Sequence, residues 1–287
     1  MSSNNKLPVF YHVPKNAGTY VTNMSLLYFR AYRRVKTTWN DLKYETIKNI
    51  EVQNDHGTVA RLLCGDPENL CDTDNYLIND PHDTSHHIVK LLDINNTCIN
   101  ELFKFQIIIE DAGFHMGTNI IKQVYNTIPY QQYITIREPF SRSVSWYSYI
   151  TSERSSHEPL HQYVTTSFEK YIESDIFESN WVMRKLVGVP DDQDFTTQHH
   201  KQAISKLDKF SVYNIVDVDK MIDKMFYDGY GITREDFPPS ATPPGRNQNP
   251  IKDKIQFTNL PEKTQKLFTD KTYWDQVLWD KYFAEKC

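Results

Sequence analysis

Residues 8 to 36 constrain this chain most, because they read as a strand, a tight loop and a helix in immediate succession. Val9 to Val13 is a short β-forming run closed by Pro14, and Lys15-Asn16-Ala17-Gly18-Thr19 forms a loop with one glycine. Tyr20, Met24, Leu27, Tyr28 and Ala31 follow at the spacing of one apolar helix stripe. The helix ends among Arg30, Arg33, Arg34 and Lys36, which suit the negative end of its dipole. That basic cluster reads either as a solvated helix end or as an electrostatic guide for an anionic ligand.

Further β-rich runs, Phe105 to Ile109, Tyr133 to Ile136 and Ser211 to Val216, alternate with helical patterns. Helices are expected at 118–125, 141–150, 179–187 and 203–207, and along the stripe Val218, Met221, Ile222, Met225. Ser141 is the expected N-cap of the second of these, with Pro139 just upstream. Pro261 is expected to open a further helix at its first turn, and Trp274, Val277, Leu278 and Tyr282 stripe a last one. The alternation predicts an α/β fold: a single domain over 1–287 with a central, mainly parallel sheet flanked by helices. Residues 37–104 are polar and weakly periodic, and read as loops with short helices forming a variable insertion or lid. The Pro-rich stretch over 238–250 reads as a loop within the domain.

Composition limits the function classes. Hydrophobic residues make up 39% and aromatics 13%, enough for a substantial core, so a disordered chain is excluded. The net charge of −5 argues against nucleic acid as a partner, since phosphate-neutralising surfaces are basic. Any anionic ligand must therefore meet a locally basic pocket. No apolar stretch matches a signal peptide or the roughly 20 residues of a membrane span. Without an export signal, Cys64, Cys71, Cys98 and Cys287 read as reduced thiols, and a cytoplasmic location is expected. Oligomeric state is not legible.

Two segments carry chemistry. The loop at 14–20 joins the carboxyl end of a strand to a helix N-terminus, where unpaired N–H groups and the helix dipole favour a phosphate. Lys15 adds a full positive charge, and Gly18 permits close backbone approach. The order is not that of a Walker loop, which ends in Gly-Lys-Ser/Thr, and a plain βα turn with a surface lysine is the competing reading. In the second segment, Arg137 stands at the carboxyl end of a strand and Ser145 lies eight residues on, in the following helix. A guanidinium and a hydroxyl can converge on one phosphate. The competing reading pairs Arg137 with Glu138 or another surface neighbour.

Together these segments resemble the carbohydrate sulfotransferases, in particular the branch containing heparan sulfate 2-O- and 6-O-sulfotransferases. His12-Val13-Pro14-Lys15-Asn16-Ala17-Gly18-Thr19 is similar to that family's 5′-phosphosulfate loop, with Asn16 where a Thr is usual. Arg137-Glu138-Pro139-Phe140-Ser141-Arg142-Ser143-Val144-Ser145 is similar to its 3′-phosphate motif, with Glu138 in place of Asp. Weaker similarity runs through Asn180-Trp181-Val182-Met183-Arg184-Lys185-Leu186 and the terminal helices over 260–283.

The resemblance implies a sulfotransferase fold and 3′-phosphoadenosine 5′-phosphosulfate as co-substrate, with adenosine 3′,5′-bisphosphate as product. The sulfuryl group would pass by in-line displacement to a hydroxyl of a glycan or small hydroxylated molecule. Pro14, Lys15, Asn16, Ala17, Gly18, Thr19 and Tyr20 would hold the 5′ side, and Arg137 and Ser145 the 3′-phosphate. Arg246 and Asn247, after the Pro-rich loop, would close over the nucleotide. Lys15 would also stabilise the departing phosphate oxygen.

Histidine titrates nearest neutrality and is the first candidate for the base. His115 follows the 105–109 strand and matches the position of the family's catalytic histidine; Glu110 and Asp111 are the alternatives. His12 reads as packed beneath the donor. His82, His86 and His87, and the pair His199-His200, lack finger-like cysteine spacing, and no metal is expected. The competing functions are a catalytically inactive nucleotide- or glycan-binding relative, and a nucleotide kinase on the related fold.

Overall fold

The computed structural model describes residues 6–13, 15–18, 20, 21, 24, 25, 27, 28, 49–54, 57–64, 105–109, 130–152, 167–237 and 255–284. The chain divides into two compact units. Unit 1 comprises 1–135 and 209–245, and unit 2 comprises 136–208 and 246–287.

Unit 1 is built on a six-stranded sheet. Its strands are β1 (Leu7–Tyr11), β2 (Asn49–Asn54), β3 (Gly57–Cys64), β4 (Phe105–Ile109), β5 (Tyr130–Ile136) and β6 (Phe210–Asn214), in the spatial order β2-β3-β4-β1-β5-β6. The parallel part is confined to three strands. β1 pairs parallel with β4, Val9 opposite Ile107, and parallel with β5, Phe10 opposite Tyr133. β3 runs antiparallel to both β4 and β2.

The fold is thus mixed α/β, with antiparallel strands extending what the sequence pattern reads as mainly parallel. The two added strands fall in 37–104, where loops and short helices are expected. Runs such as Thr58-Val59-Ala60-Arg61-Leu62-Leu63-Cys64 are β-compatible, but their polar surroundings hide the period.

Central position explains the composition of β1. Both edges of β1 are paired, and the successive residues Val9, Phe10 and Tyr11, at most 1% exposed, show that both its faces are covered as well. The following helix, α1, is helical at every described position between 18 and 28. It buries Val21, Met24, Leu27 and Tyr28, the stripe visible in sequence.

The second helix of unit 1 is the one over Val218–Tyr230. It buries Val218, Met221, Ile222, Met225, Phe226 and Tyr230, a 3.6-residue period, in one cluster with Phe10, Met24, Tyr28 and Tyr133. Full burial of each large apolar side chain contributes about 1.5–3 kcal/mol. This helix also crosses β1 closely at Gly229, where a β-carbon would stand 2.8 Å from Pro8 Cδ.

Unit 2 is helical. In chain order its helices are α2 (Pro139–Ile150), α3 (Phe168–Glu173), α4 (Trp181–Val187) and α5 (Thr197–Leu207). The unit 1 helix Val218–Tyr230 is then α6, followed in unit 2 by α7 (Glu262–Lys271) and α8 (Tyr273–Phe283). The unit 2 core is aromatic: Phe140 meets Phe168, Phe257 and Phe268 edge-on, with centroids 5.3–5.7 Å apart. α5 begins six residues earlier than the 203–207 pattern indicates. Thr196 and His199 close a capping box there, so polar side chains start a turn that the apolar pattern does not register.

The start of α2 differs from expectation in an informative way. Glu138 is the N-cap, its carboxylate accepting from Phe140 N at 2.9 Å and Ser141 N at 2.6 Å, with Pro139 at the first helical position. An acidic cap satisfies two orphan N–H groups and complements the dipole, and proline at that position removes a donor that would otherwise have no partner. Ser141 therefore lies inside the helix.

Candidate functional site

The parallel strands of unit 1 define where a ligand site belongs. From β1 the chain reaches β4 on one side and then passes back to β5 on the other, so the carboxyl end of β1 is a topological switch point. The loop at 15–18 sits there.

Its backbone is strained. Lys15 has φ 68° and Ala17 φ 72°, a left-handed conformation that costs about 1–2 kcal/mol per L-residue. Neither lysine nor alanine carries the short polar side chain that eases such a turn. Asn16 between them is fully buried and acts as an anchor. Its Nδ2 donates to Thr135 O on β5 at 3.0 Å, and its own carbonyl accepts from Thr135 Oγ1. Asn16 N donates back to Val13 O at 3.0 Å, closing the turn. Asn16 Oδ1 is buried with no hydrogen-bond partner. Lys15 itself is half-buried.

Gly18 is required by a side chain. A β-carbon there would overlap the His12 imidazole, so His12 takes the space that the missing side chain leaves. His12 also stacks on Phe10, with centroids 6.3 Å apart. α1 is then tied to α6 near both ends of its described span: Tyr20 donates to Asp219 at 2.7 Å, and Tyr28 donates to Asp223. Arg234 joins both carboxylates, at 2.7 Å each. Sequence reasoning missed this network. Its signal is a pair of carboxylates four residues apart on one flank of α6, facing two tyrosines eight apart on α1.

In unit 2, Arg137 directly precedes the N-cap of α2, and Ser145 lies in the second turn of that helix. Arg137 follows β5 directly, and its Nε donates to Ser141 Oγ at 2.9 Å. Ser141 and Ser145, four residues apart, share a helix face. Burial is the main influence on the Arg137 guanidinium and pulls its pKa below the ordinary value, with the charge of Glu138 acting the other way. Glu138 is engaged with backbone N–H groups, as described above. The N-terminus of α2 is therefore occupied by the protein's own carboxylate, and an anion here would rely on side chains.

Arg142 of the same segment is structural. It is 3% exposed, lies 3.6 Å over the Trp181 ring and pairs with Glu178 at 3.0 Å. The Asn180–Leu186 segment is structural too. Asn180, itself left-handed at φ 48°, accepts from Trp274 N at 2.7 Å and so caps α8. Asp275 in α8 accepts from Val182 N at 3.1 Å and Met183 N at 2.9 Å and so caps α4. Arg184 donates to the carbonyls of Ser179, Pro190 and Gln193. Burial raises the Asp275 carboxyl to about 6, against the two N–H bonds and the nearby arginines.

Pro14, Thr19, Glu110, Asp111, His115, Arg246 and Asn247 lie outside the described residues, as do the 118–125 helix, Arg30 to Lys36 and the histidines at 82, 86 and 87. His199 closes the cap of α5, and His200 stacks on Trp274 with centroids 5.0 Å apart. Among the described residues there is no cluster of metal-ligating side chains and no helix long and apolar enough to cross a membrane. No protein-family model, curated protein or solved structure matches this chain.

Proposed function

We propose that this chain is a sulfotransferase using 3′-phosphoadenosine 5′-phosphosulfate, with the 15–20 loop as the binding element for the donor's 5′ side. The observation that carries the reading is the left-handed backbone at Lys15 and Ala17, held at the switch point of a parallel sheet. Left-handed backbone at two residue types that lack a short polar side chain to ease it supports a ligand-binding role. Asn16 N donates to Val13 O, and the N–H groups of Gly18, Thr19 and Tyr20 at the start of α1 are assigned the donor role.

The donor would supply an activated sulfuryl group and a phosphate leaving group. Lys15 places positive charge where negative charge grows on the departing phosphate oxygen. Arg137 and Ser145 are assigned to the 3′-phosphate, and Arg246 with Asn247 to the nucleotide. His115, or Glu110 in its place, removes the proton of the acceptor hydroxyl as its oxygen attacks sulfur. The acceptor is a hydroxyl on a glycan or small molecule.

Incubation with labelled donor and a panel of glycans and small hydroxylated acceptors tests this. Transfer to at least one acceptor, lost in His115→Ala, is expected. Donor binding without transfer to any acceptor would instead favour a binding relative.

A further inference from the structure

We infer that unit 2 carries a docking site for a neutral saccharide, in the open cavity of about 420 Å3 where the start of α8 meets the segment after α4. The volume falls in the range of small-molecule sites, about 300–1,000 Å3. One wall is aromatic. The Tyr273 and Trp274 rings stand 4.9 Å apart by centroid, Phe195 lies 6.1 Å from Trp274, and Tyr273 is 52% exposed. His200 stacks on one face of Trp274, so the exposed Tyr273 ring is the surface that suits the C–H-rich face of a pyranose.

The polar lining selects among ligand charges. Arg184 and Lys271 both line the cavity, and both are already engaged. Arg184 donates to three backbone carbonyls, and Lys271 Nζ donates to Ile172 O at 2.7 Å and Ser174 O at 3.1 Å. The two helix N-termini at this place are filled as well, α4 by Asp275 and α8 by Asn180. An anion would therefore find most of its natural donors occupied, five of the eight N–H groups of these two side chains. Asp194 and Asp270, both exposed, also line the cavity, and their two negative charges are balanced by those two cations, which removes the net attraction for a cationic ligand. Aromatic faces beside carboxylates that accept from hydroxyl groups remain, the chemistry that recognises an uncharged sugar.

This site stands independently of the donor reading, because none of its residues belongs to the 15–20 loop or to the Arg137 segment. Ligand-observed saturation-transfer NMR tests it, with glucose, galactose, N-acetylglucosamine, cellobiose and lactose as probes and with inorganic phosphate and tetramethylammonium as charged controls. A saturable signal is expected from at least one of the sugars. Tyr273→Ala and Asp270→Asn, both at exposed positions, should each weaken it about tenfold at an unchanged melting temperature. The inference is overturned if no sugar saturates, if both variants bind as the parent does, or if only a charged control binds.

Discussion

Lys15 and Ala17 in unit 1 and Asn180 in unit 2 all hold left-handed backbone, yet their surroundings differ. Asn180 is of the residue type that tolerates this conformation, and the turn lets its side chain cap α8 while Asp275 caps α4. The strain at Asn180 is offset by hydrogen bonds that hold two helices together, and stability explains it. At Lys15 and Ala17 the residue type itself does not ease the turn. The fold instead spends Asn16, Thr135 and the Tyr20–Asp219–Arg234 network on holding the loop in place. The same backbone feature is structural in unit 2, and in unit 1 it is the feature on which the proposed donor site rests.

Substitution should separate the two roles. The largest effect is expected at Lys15, where Lys15→Ala should lower turnover roughly 10²–10³-fold, about 3–4 kcal/mol, with a smaller loss of donor affinity. Steady-state and binding measurements on one preparation check this. A variant that loses affinity and keeps turnover would move Lys15 away from the leaving group.

In unit 2 the expected loss is of stability. Asp275→Ala leaves two buried N–H groups without an acceptor and should cost about 3 kcal/mol in denaturant unfolding, with unit 1 ligand binding retained in what remains folded. Asp275 also sets a pH dependence. Its folded-state pKa of about 6 lies above the ordinary carboxylate value, so between about pH 4 and 6 the folded protein keeps a proton that the unfolded chain has released. Stability should therefore fall as pH rises across that window, by up to about 3 kcal/mol, and this contribution levels off above it. Asp275→Asn should remove that slope, and an unchanged slope would assign it to another group.

The smallest effects oppose each other in sign. Asn180→Gly should destabilise by about 1 kcal/mol, because the cap is lost although the backbone relaxes. Ala17→Gly should stabilise by about 0.5–1 kcal/mol, because strain is relieved and no cap is lost. The same variant should bind the donor product more weakly through a looser loop. Equal signs in thermal melts would dissolve the distinction between the two regions.

Much of the frame was legible in sequence, and the reasons for the misses are specific. β1, β4 and α6 follow from short apolar runs and a 3.6-residue stripe, which report burial directly. β2 and β3 were not legible because their polar context masks the strand period. Glu138 as the cap of α2 is masked in sequence by Ser141, a better-known capping type three residues on, although an acid followed by proline is itself a helix-start signal. At the site, the loop and Lys15 could be named from spacing, but the role of Asn16 could not. Its anchoring partner Thr135 is 119 positions away, and only sheet pairing brings them together. The reciprocal caps of Asn180 and Asp275 are hidden for the same reason.

If the strained loop at 15–18 holds a phosphosulfate nucleotide, calorimetric titration of the whole chain will register it. Adenosine 3′,5′-bisphosphate should bind saturably and more tightly than ATP with Mg²⁺. Gly18→Ala, whose β-carbon must displace His12, should weaken that binding at least about tenfold. No binding of the bisphosphate, a preference for ATP, or an unaffected Gly18→Ala variant would contradict it.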